Sequence, residues 1–421
     1  MGFGPMASRR EKLSRWLSGL YSPSYQTQLA MAAIEGIGPE AVHQHGWPGW
    51  LTLAVRVDRT VLTAPWTTEN TVTALEITGG MVDRRSFMIT TTGTLGAVVA
   101  QWSAAAPAGA AVRAGRRINE KVPALFEGQL DGLRRLDDQI GSGQVYAVAR
   151  AATRLITTTI SEASYTEAVG RRLNSCAGEA SRQAGWTAYD RGQLAAAELH
   201  YTTGLRCTAD ANDPVTSANI LAFWAIGLYS NKNARGAVGL IEAALAQSSK
   251  IGSKRMISML HARACRAHAR AGDARAANRS ADAALAAYAQ ASPIEEDPAC
   301  VYWYNLGEVH QLLGSSSLNL NHPRRALEHF QAASDSADVG RGEQYDADSF
   351  PRGNAIYLAR LAEAQLALGD VDAAVATAHK AVECMGGVTS ARGSKTLDEL
   401  RDKLASRSGI PEVRDFLAYT V

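Results

Sequence analysis

Two groups of side chains have the types and spacing to do chemistry. His261, Cys265 and His268 stand at i, i+4 and i+7, so one helix would present them on one side, as a zinc site requires. Near the N-terminus, Ser8-Arg9-Arg10-Glu11-Lys12-Leu13-Ser14-Arg15-Trp16 sets four bases against one acid. On a helix, Leu13, Trp16 and Leu17 form its apolar side, and Arg9, Lys12 and Arg15 project together elsewhere. Arginine reads guanine edges, and serine and lysine hold phosphates. A basic helix braced by a second helix through a tight turn is one way to enter the DNA major groove. The plainer reading is a solvated amphipathic helix. The chain has no GxSxG, no P-loop, no GxGxxG before a helix and no HExxH, so no enzyme and no cofactor is expected.

The zinc reading yields to the organisation of the elements. One stripe recurs at offsets 0, +4 and +7: Ala197/Tyr201/Gly204, Ala237/Ile241/Ala244, Ala277/Ala281/Ala284, Ala326/Phe330/Ala333 and Ala374/Ala378/Ala381. Each copy comes after a helical stretch and a short polar turn. Repetition at this period means stacked helix pairs, and stacked pairs build a binding surface. His261, Cys265 and His268 fall on the large, small and aromatic packing positions of the third copy. Packing accounts for them, and no metal is expected.

With Ala184-Gly185, Gly192, Gly272-Asp273, Trp303, Leu306-Gly307, Gly314, Leu361-Ala362 and Gly369-Asp370, these stripes resemble tetratricopeptide repeats over roughly residues 178–385. The second copy is degenerate, with Lys232 at the turn. The Ala-to-Ala intervals are 40, 40, 49 and 48 residues, against about 34 in the family. Ser315 to His322 reads as an insert between the helices of the fourth repeat, and residues 335–353 as a polar loop. The resemblance implies that the first helix of each pair lines a concave face. Projection outward from the packing set places Arg182, Trp186, Tyr189, Asn219, Ile226, Tyr229, Arg266, Arg270, Tyr304, Asn305 and Glu308 there. Forked arginines and an asparagine would hold a peptide backbone or carboxylate, and the aromatics would receive apolar groups.

Apolar content of 46% with 20% charge fits a folded globular protein, and a net charge of +2 confines any nucleic-acid affinity to a local patch. The five scattered cysteines form no CxxC and suit a reducing, cytoplasmic setting. Asp83-Arg84-Arg85-Ser86-Phe87-Met88 imitates a twin-arginine signal but lies far from the N-terminus. The apolar stretch after it is too short to span a membrane. It reads instead as an inter-domain helix packing Phe87, Leu95, Val98 and Trp102 inward. Two helices are expected near the N-terminus, about Ser8–Leu17 and Tyr25–Ile34, with Ser8 and Glu11 as a capping box. A weak strand is expected over Val72–Thr78 and a flexible Ala/Gly-rich joint over 103–115. Leu125, Leu130, Leu133 and Leu136 mark one later helix; Val145, Val148, Ala151, Leu155 and Ile156 mark the next.

Leu13-Ser14-Arg15-Trp16-Leu17-Ser18-Gly19, with Pro23 and the helix after it, resembles the recognition helix and next helix of Xre/Cro-type helix-turn-helix domains. Joined through Trp47-Pro48-Gly49-Trp50-Leu51 and Asp83-Arg84-Arg85 to the repeats, the chain resembles a group of actinobacterial regulators. The resemblance implies that Ser8, Arg9, Arg10, Lys12 and Arg15 face DNA. That family has two further helices upstream, so the module is expected to be partial, whether decayed, completed by another chain or begun further upstream. The expected fold is an all-α, tetratricopeptide-repeat-like α-solenoid with this partial module: residues 1–45 helix-turn-helix, 46–115 connecting segment, 116–421 repeat array. The expected function is a homodimeric transcriptional regulator that contacts DNA and senses a peptide or small-molecule effector. The alternative is a repeat scaffold that binds proteins or peptides and not DNA.

Overall fold

The computed structural model describes residues 22–34, 38–47, 50, 61–80, 92–105, 115–335 and 348–420. Among the described residues there is no strand, only two isolated bridge contacts, and the architecture is an all-α, tetratricopeptide-repeat-like solenoid. Among the described residues, α1 (Tyr25–Ile34), α2 (Pro39–His45), α3 (Thr68–Gly79) and α4 (Thr92–Ala104) come first. Then come α5 (Lys121–Ile140) and α6 (Ser142–Glu162). The five repeats are next: α7 (Glu167–Asp190) with α8 (Leu194–Ala211), α9 (Pro214–Ser230) with α10 (Ala234–Leu245), and, after the short α11 (Ser248–Ile251), α12 (Lys254–Ala271) with α13 (Ala274–Tyr288), α14 (Leu306–Asn319) with α15 (Pro323–Asp335), and α16 (Pro351–Ala367) with α17 (Val371–Met385). Helices α18 (Ala391–Ala405) and α19 (Pro411–Tyr419) close the array.

Every repeat turns on one left-handed residue: Gly192, Lys232, Gly272, Asn321 and Gly369, with φ between 61° and 87°. In each turn an amide reaches back five residues, as in Gln193 to Ala188 at 2.9 Å and Asp370 to Gln365 at 3.0 Å, which satisfies a carbonyl the ending helix leaves free. The next helix is then capped at once, by Asn233, Asp273 and Asp370 in repeats two, three and five. Lys232 alone combines a long side chain with left-handed backbone, which costs an L-residue roughly 1–2 kcal/mol. Lys232→Gly is therefore expected to raise stability by about 0.5–1 kcal/mol after the unfolded-state entropy of glycine is counted. A higher urea midpoint at unchanged slope would confirm this, and an unchanged midpoint would refute it.

All five sequence stripes are buried, Ala237, Ala326, Ala374, Ala378 and Ala381 completely. The aromatic knobs need glycine opposite them. A Cβ on Gly185 would lie 2.8 Å from the Tyr201 ring, and one on Gly314 would lie 2.8 Å from the Phe330 ring. Gly314 is thus a mid-helix packing residue, not a turn residue, and the expected insert at Ser315–His322 does not exist. Ser315, Ser316 and Ser317 continue α14 and are buried, and the turn falls at Leu320–His322. The extra length of the fourth repeat lies instead before α14, in residues 289–305, which include two short 3-10 turns. Trp303 sits in that segment and Leu306-Gly307 opens α14, so these residues do not take the mid-helix family positions.

Three other expectations shift. The residues expected as strand Val72–Thr78 lie within α3, which Thr67 caps and whose final carbonyl takes Arg154 Nη1 at 2.9 Å. On α5 the inward stripe is Phe126, Leu130, Leu133 and Asp137, so Leu125 and Leu136, one residue off that register, are exposed. Val148, Ala151 and Leu155 are likewise on the outer side of α6. Leu95, Val98 and Trp102 of α4 do pack inward, and Trp102 Nε1 donates to Ser217 Oγ at 3.2 Å. Phe87, the twin-arginine stretch and residues 106–114 of the expected joint lie outside the described residues.

The solenoid winds far enough for its ends to meet. Gln139 donates to the Ser349 carbonyl at 2.9 Å, and the Ser142 amide donates to the Thr389 carbonyl at 3.2 Å. Gly141 has φ of 77° there, and a Cβ on it would strike the Thr389 carbonyl oxygen at 2.6 Å. Helix α16 thereby docks on α5 and α7, and the concave face becomes the lining of a cavity.

Candidate functional site

The cavity has a volume of about 180 Å³ and is lined from the first helices of all five repeats, from α5 and α18, and from residues 300–303. Eight arginines face it against three carboxyl groups, together with seven aromatic rings. How these charges are partnered determines what the cavity can hold.

One group of arginines is structural. Arg352 Nη2 donates to Asp137 Oδ2 at 2.8 Å, and Nη1 to Asp190 Oδ2 at 3.1 Å, all three residues being buried. Trp186 Nε1 donates to the same Asp137 oxygen at 2.9 Å. Burial alone would raise the Asp137 carboxyl, but the Arg352 charge and these hydrogen bonds hold it below its ordinary range. Glu179 is clasped by Arg182 at 2.8 Å and Arg134 at 2.7 Å; against the penalty of burial, their charges bring its pKa down to about 2. Arg360 pairs with Glu363 and Glu399.

The second group is different. Arg263 and Arg266 are buried on one stripe of α12, and neither has a carboxylate partner among the described residues. Arg263 donates to Tyr229 Oη at 3.3 Å, and its Nε has no hydrogen-bond partner. Arg266 donates to Asn319 Oδ1 at 2.7 Å, and burial lowers its pKa to about 10. Arg392 stands 3.7 Å from Asp190, which Arg352 already engages. Burial pushes the Tyr229 hydroxyl up, but the charges of Arg263, Arg266 and Arg392 outweigh it and draw its pKa below the ordinary value.

The acids facing these cations are weakened. Burial pushes Glu308 up to about 7, against the hydrogen bond from Tyr357 and the charges of Arg263 and Arg392. Burial likewise pushes Asp138 up to about 6 against the hydrogen bond from Tyr302. At neutral pH the centre of the cavity is strongly positive. Its walls are flat and apolar: Trp186 and Phe223 meet edge to face at 5.0 Å, and Phe223 and Trp303 at 6.4 Å. Guanidinium groups sit over them, Arg182 on Phe223 at 4.5 Å and Arg392 on Trp186 at 4.8 Å.

Of the residues projected from sequence, Arg182, Trp186, Ile226, Tyr229, Arg266, Arg270 and Glu308 come together here. Tyr189, Asn219, Tyr304 and Asn305 do not. Tyr189 packs between repeats, on Trp186 and beside Gly227. Asn219 is buried inside the stack. Tyr304 is wholly buried and bonds Ser258, and Asn305 caps α14 through the Glu308 amide. Arg263 is missing from the projected set, although Arg263, Arg266 and Arg270 form one 0, +3, +7 stripe that could have revealed it. Arg352, Tyr357 and Arg392 carry no such signal, since only ring closure brings them opposite repeat one. Ser8, Arg9, Arg10, Lys12 and Arg15, projected to face DNA, lie outside the described residues. The helix expected to come after them is present as α1, and Trp50 closes a small core with Ala32 and Val42, its Nε1 donating to Gln28 at 3.1 Å.

His261 and His268 are half-buried on α12 and Cys265 is buried within the core; among the described residues no cluster of three metal-ligating side chains forms. No described helix is long and apolar enough to cross a membrane. The described cysteines are free thiols.

No protein-family model and no curated protein matches the sequence. Among solved structures, the chain is similar to the human IFIT1 dimer with m7Gppp-AAAA, at 12% identity and a TM-score of 0.40, over 97% of this chain and 83% of that one.

Proposed function

We propose that this chain is a tetratricopeptide-repeat-like binding protein that encloses an anionic ligand, the end of a peptide or a small molecule, in the cavity of its closed superhelix. The observation that carries the reading is the charge balance of that cavity. Nothing in folding requires buried guanidinium groups without acids, since an unpaired buried charge is costly. A ligand that supplies the missing negative charge accounts for them, and the aromatic walls suit its apolar part. The test is affinity selection of a library of short peptides on the full chain, with titration of the enriched sequences monitored by tryptophan fluorescence. Enrichment of peptides with a free carboxylate or acidic side chains, lost in Trp303→Ala and Arg263→Gln, is the expected result. Failure to enrich any peptide, together with no response to small anions, would overturn the reading.

A second reading places this module in a DNA-binding regulator. It rests on the basic stretch Ser8–Arg15 and on its likeness to helix-turn-helix regulators. Ligand occupancy would then act on DNA through the contact between α5 and α16, by biasing the superhelix toward its closed form. Gel-shift titration of the full chain should show affinity that falls with salt, and replacement of Arg9, Lys12 and Arg15 by alanine should weaken it. Absence of binding to any genomic fragment at low salt would remove this reading and leave the scaffold.

A further inference from the structure

We propose that the ligand's anionic group is a phosphate monoester carried on a flat aromatic body, with the phosphate held between Arg263, Arg266 and Arg392 beside Tyr229. This deepens the reading of the cavity as a ligand site and rests on it.

Arg134 and Arg182 share Glu179, Arg352 has two aspartates, and Arg360 has two glutamates. Neither Arg263 nor Arg266 forms an ion pair with an acid among the described residues, and Arg392 has only a long contact to an aspartate already engaged. Arg263 donates to the Tyr229 hydroxyl at 3.3 Å, Arg266 lies over the Tyr229 ring at 5.5 Å, and Arg392 lies over Trp186 at 4.8 Å on the same cavity lining. Two of them also keep unsatisfied donors, Arg263 Nε and Arg392 Nε. A carboxylate would neutralise one of these charges. A phosphate monoester brings close to two negative charges at neutral pH and three acceptor oxygens, and guanidinium forks match it geometrically.

The surroundings supply the rest of the specificity. Trp303 lies beneath Arg263 at 5.5 Å, and Phe223 lies beyond Trp303. A planar ring attached to the phosphate would therefore meet aromatic surface one bond or two from the cation cluster. Glu308 faces these cations with a carboxyl that burial holds about half protonated at neutral pH, which reduces its repulsion toward an anion. An incoming dianion would favour that neutral form further, so binding should take up protons above neutral pH.

The experiment is thermal unfolding of the full chain with phenyl phosphate, benzoate, inorganic phosphate or phenol, each at equal ionic strength. Phenyl phosphate should raise the melting temperature more than any of the other three. Arg266→Gln should weaken phenyl phosphate binding by ~10-fold or more, the loss expected for a charge-assisted contact, and Arg263→Gln should act in the same way. Ligand-free Arg266→Gln should melt no lower than the parent, because it removes a buried cation that forms no ion pair among the described residues; a merely structural arginine would give a lower melting temperature. If benzoate stabilises as well as phenyl phosphate and depends equally on Arg266, the phosphate assignment is overturned while the cavity remains a site for anions. If inorganic phosphate alone matches phenyl phosphate, the aromatic body is overturned. If no probe shifts the melting temperature but carboxylate peptides bind, the phosphate assignment fails and the wider reading stands.

Discussion

Arg352→Ala should destabilise the protein by about 3–5 kcal/mol, the penalty for removing one partner from a buried ionic network. Arg352 is the residue through which the fifth repeat grips the helices of the first turn. Its two nitrogens span Asp137 on α5 and Asp190 at the end of α7, at 2.8 and 3.1 Å, with Ser142 Oγ at 3.4 Å. Asp190 also accepts from Ser390 Oγ at 2.7 Å, so the network reaches the turn before α18. Loss of the guanidinium leaves two buried carboxylates without their cation. The defect should appear as a lower urea midpoint by circular dichroism and as earlier proteolytic cleavage at the α5–α16 contact. Adding Asp137→Asn to Arg352→Ala should recover part of the loss, since one stranded charge is then removed. A single substitution within about 1 kcal/mol of the parent would mean that the ends of the superhelix are not held by this network.

Glu308→Gln should do the reverse and stabilise the protein by about 3 kcal/mol at pH 8, with a gain below about 1 kcal/mol at pH 5. Burial pushes the Glu308 carboxyl up to about 7, from an ordinary 4.5 in the unfolded chain. Between those values the folded state holds the proton and the unfolded state releases it. Stability from this group is therefore complete below pH 4.5, falls as pH rises through 7, and is level above that. The amide keeps an acceptor for the Tyr357 hydroxyl and cannot ionise. Urea midpoints of parent and variant across pH 5–8 measure the effect directly. Parallel curves would show that Glu308 titrates normally. The same substitution removes a carboxyl that acts on Arg263 and so should not weaken an anionic ligand.

Local pattern carries much of this fold. The 0, +4, +7 stripes identify α8, α10, α13, α15 and α17, because a buried face on a helix must recur at that spacing. Four of the five left-handed turn residues are legible as glycine, or as the lysine standing in for it. The fourth turn is not, because Gly314 has two possible uses, a turn or a close approach. The Phe330 ring above it makes it the second. Leu125 and Val148 look like core residues because composition shows that a helix is apolar without showing which apolar residues its neighbours cover.

The cavity divides in the same way. Arg182, Trp186, Tyr229, Arg266, Arg270 and Glu308 are reachable from sequence because the first helix of each repeat faces inward by local geometry. Tyr304 and Asn305 are not separable from them, because the segment before α14 departs from the repeat and shifts the register of that helix. By itself, then, the sequence determined the elements, their pairing and the inward helices. These arise from short-range rules: helical period, capping, and the backbone freedom of turn residues. Only the tertiary structure decided that the superhelix closes and that the groove is a cavity. It also decided which arginines are neutralised. Those outcomes rest on Asp137, Asp190, Arg352 and Arg392, residues up to about 255 positions apart, and burial acts on charge only once such distant groups have met.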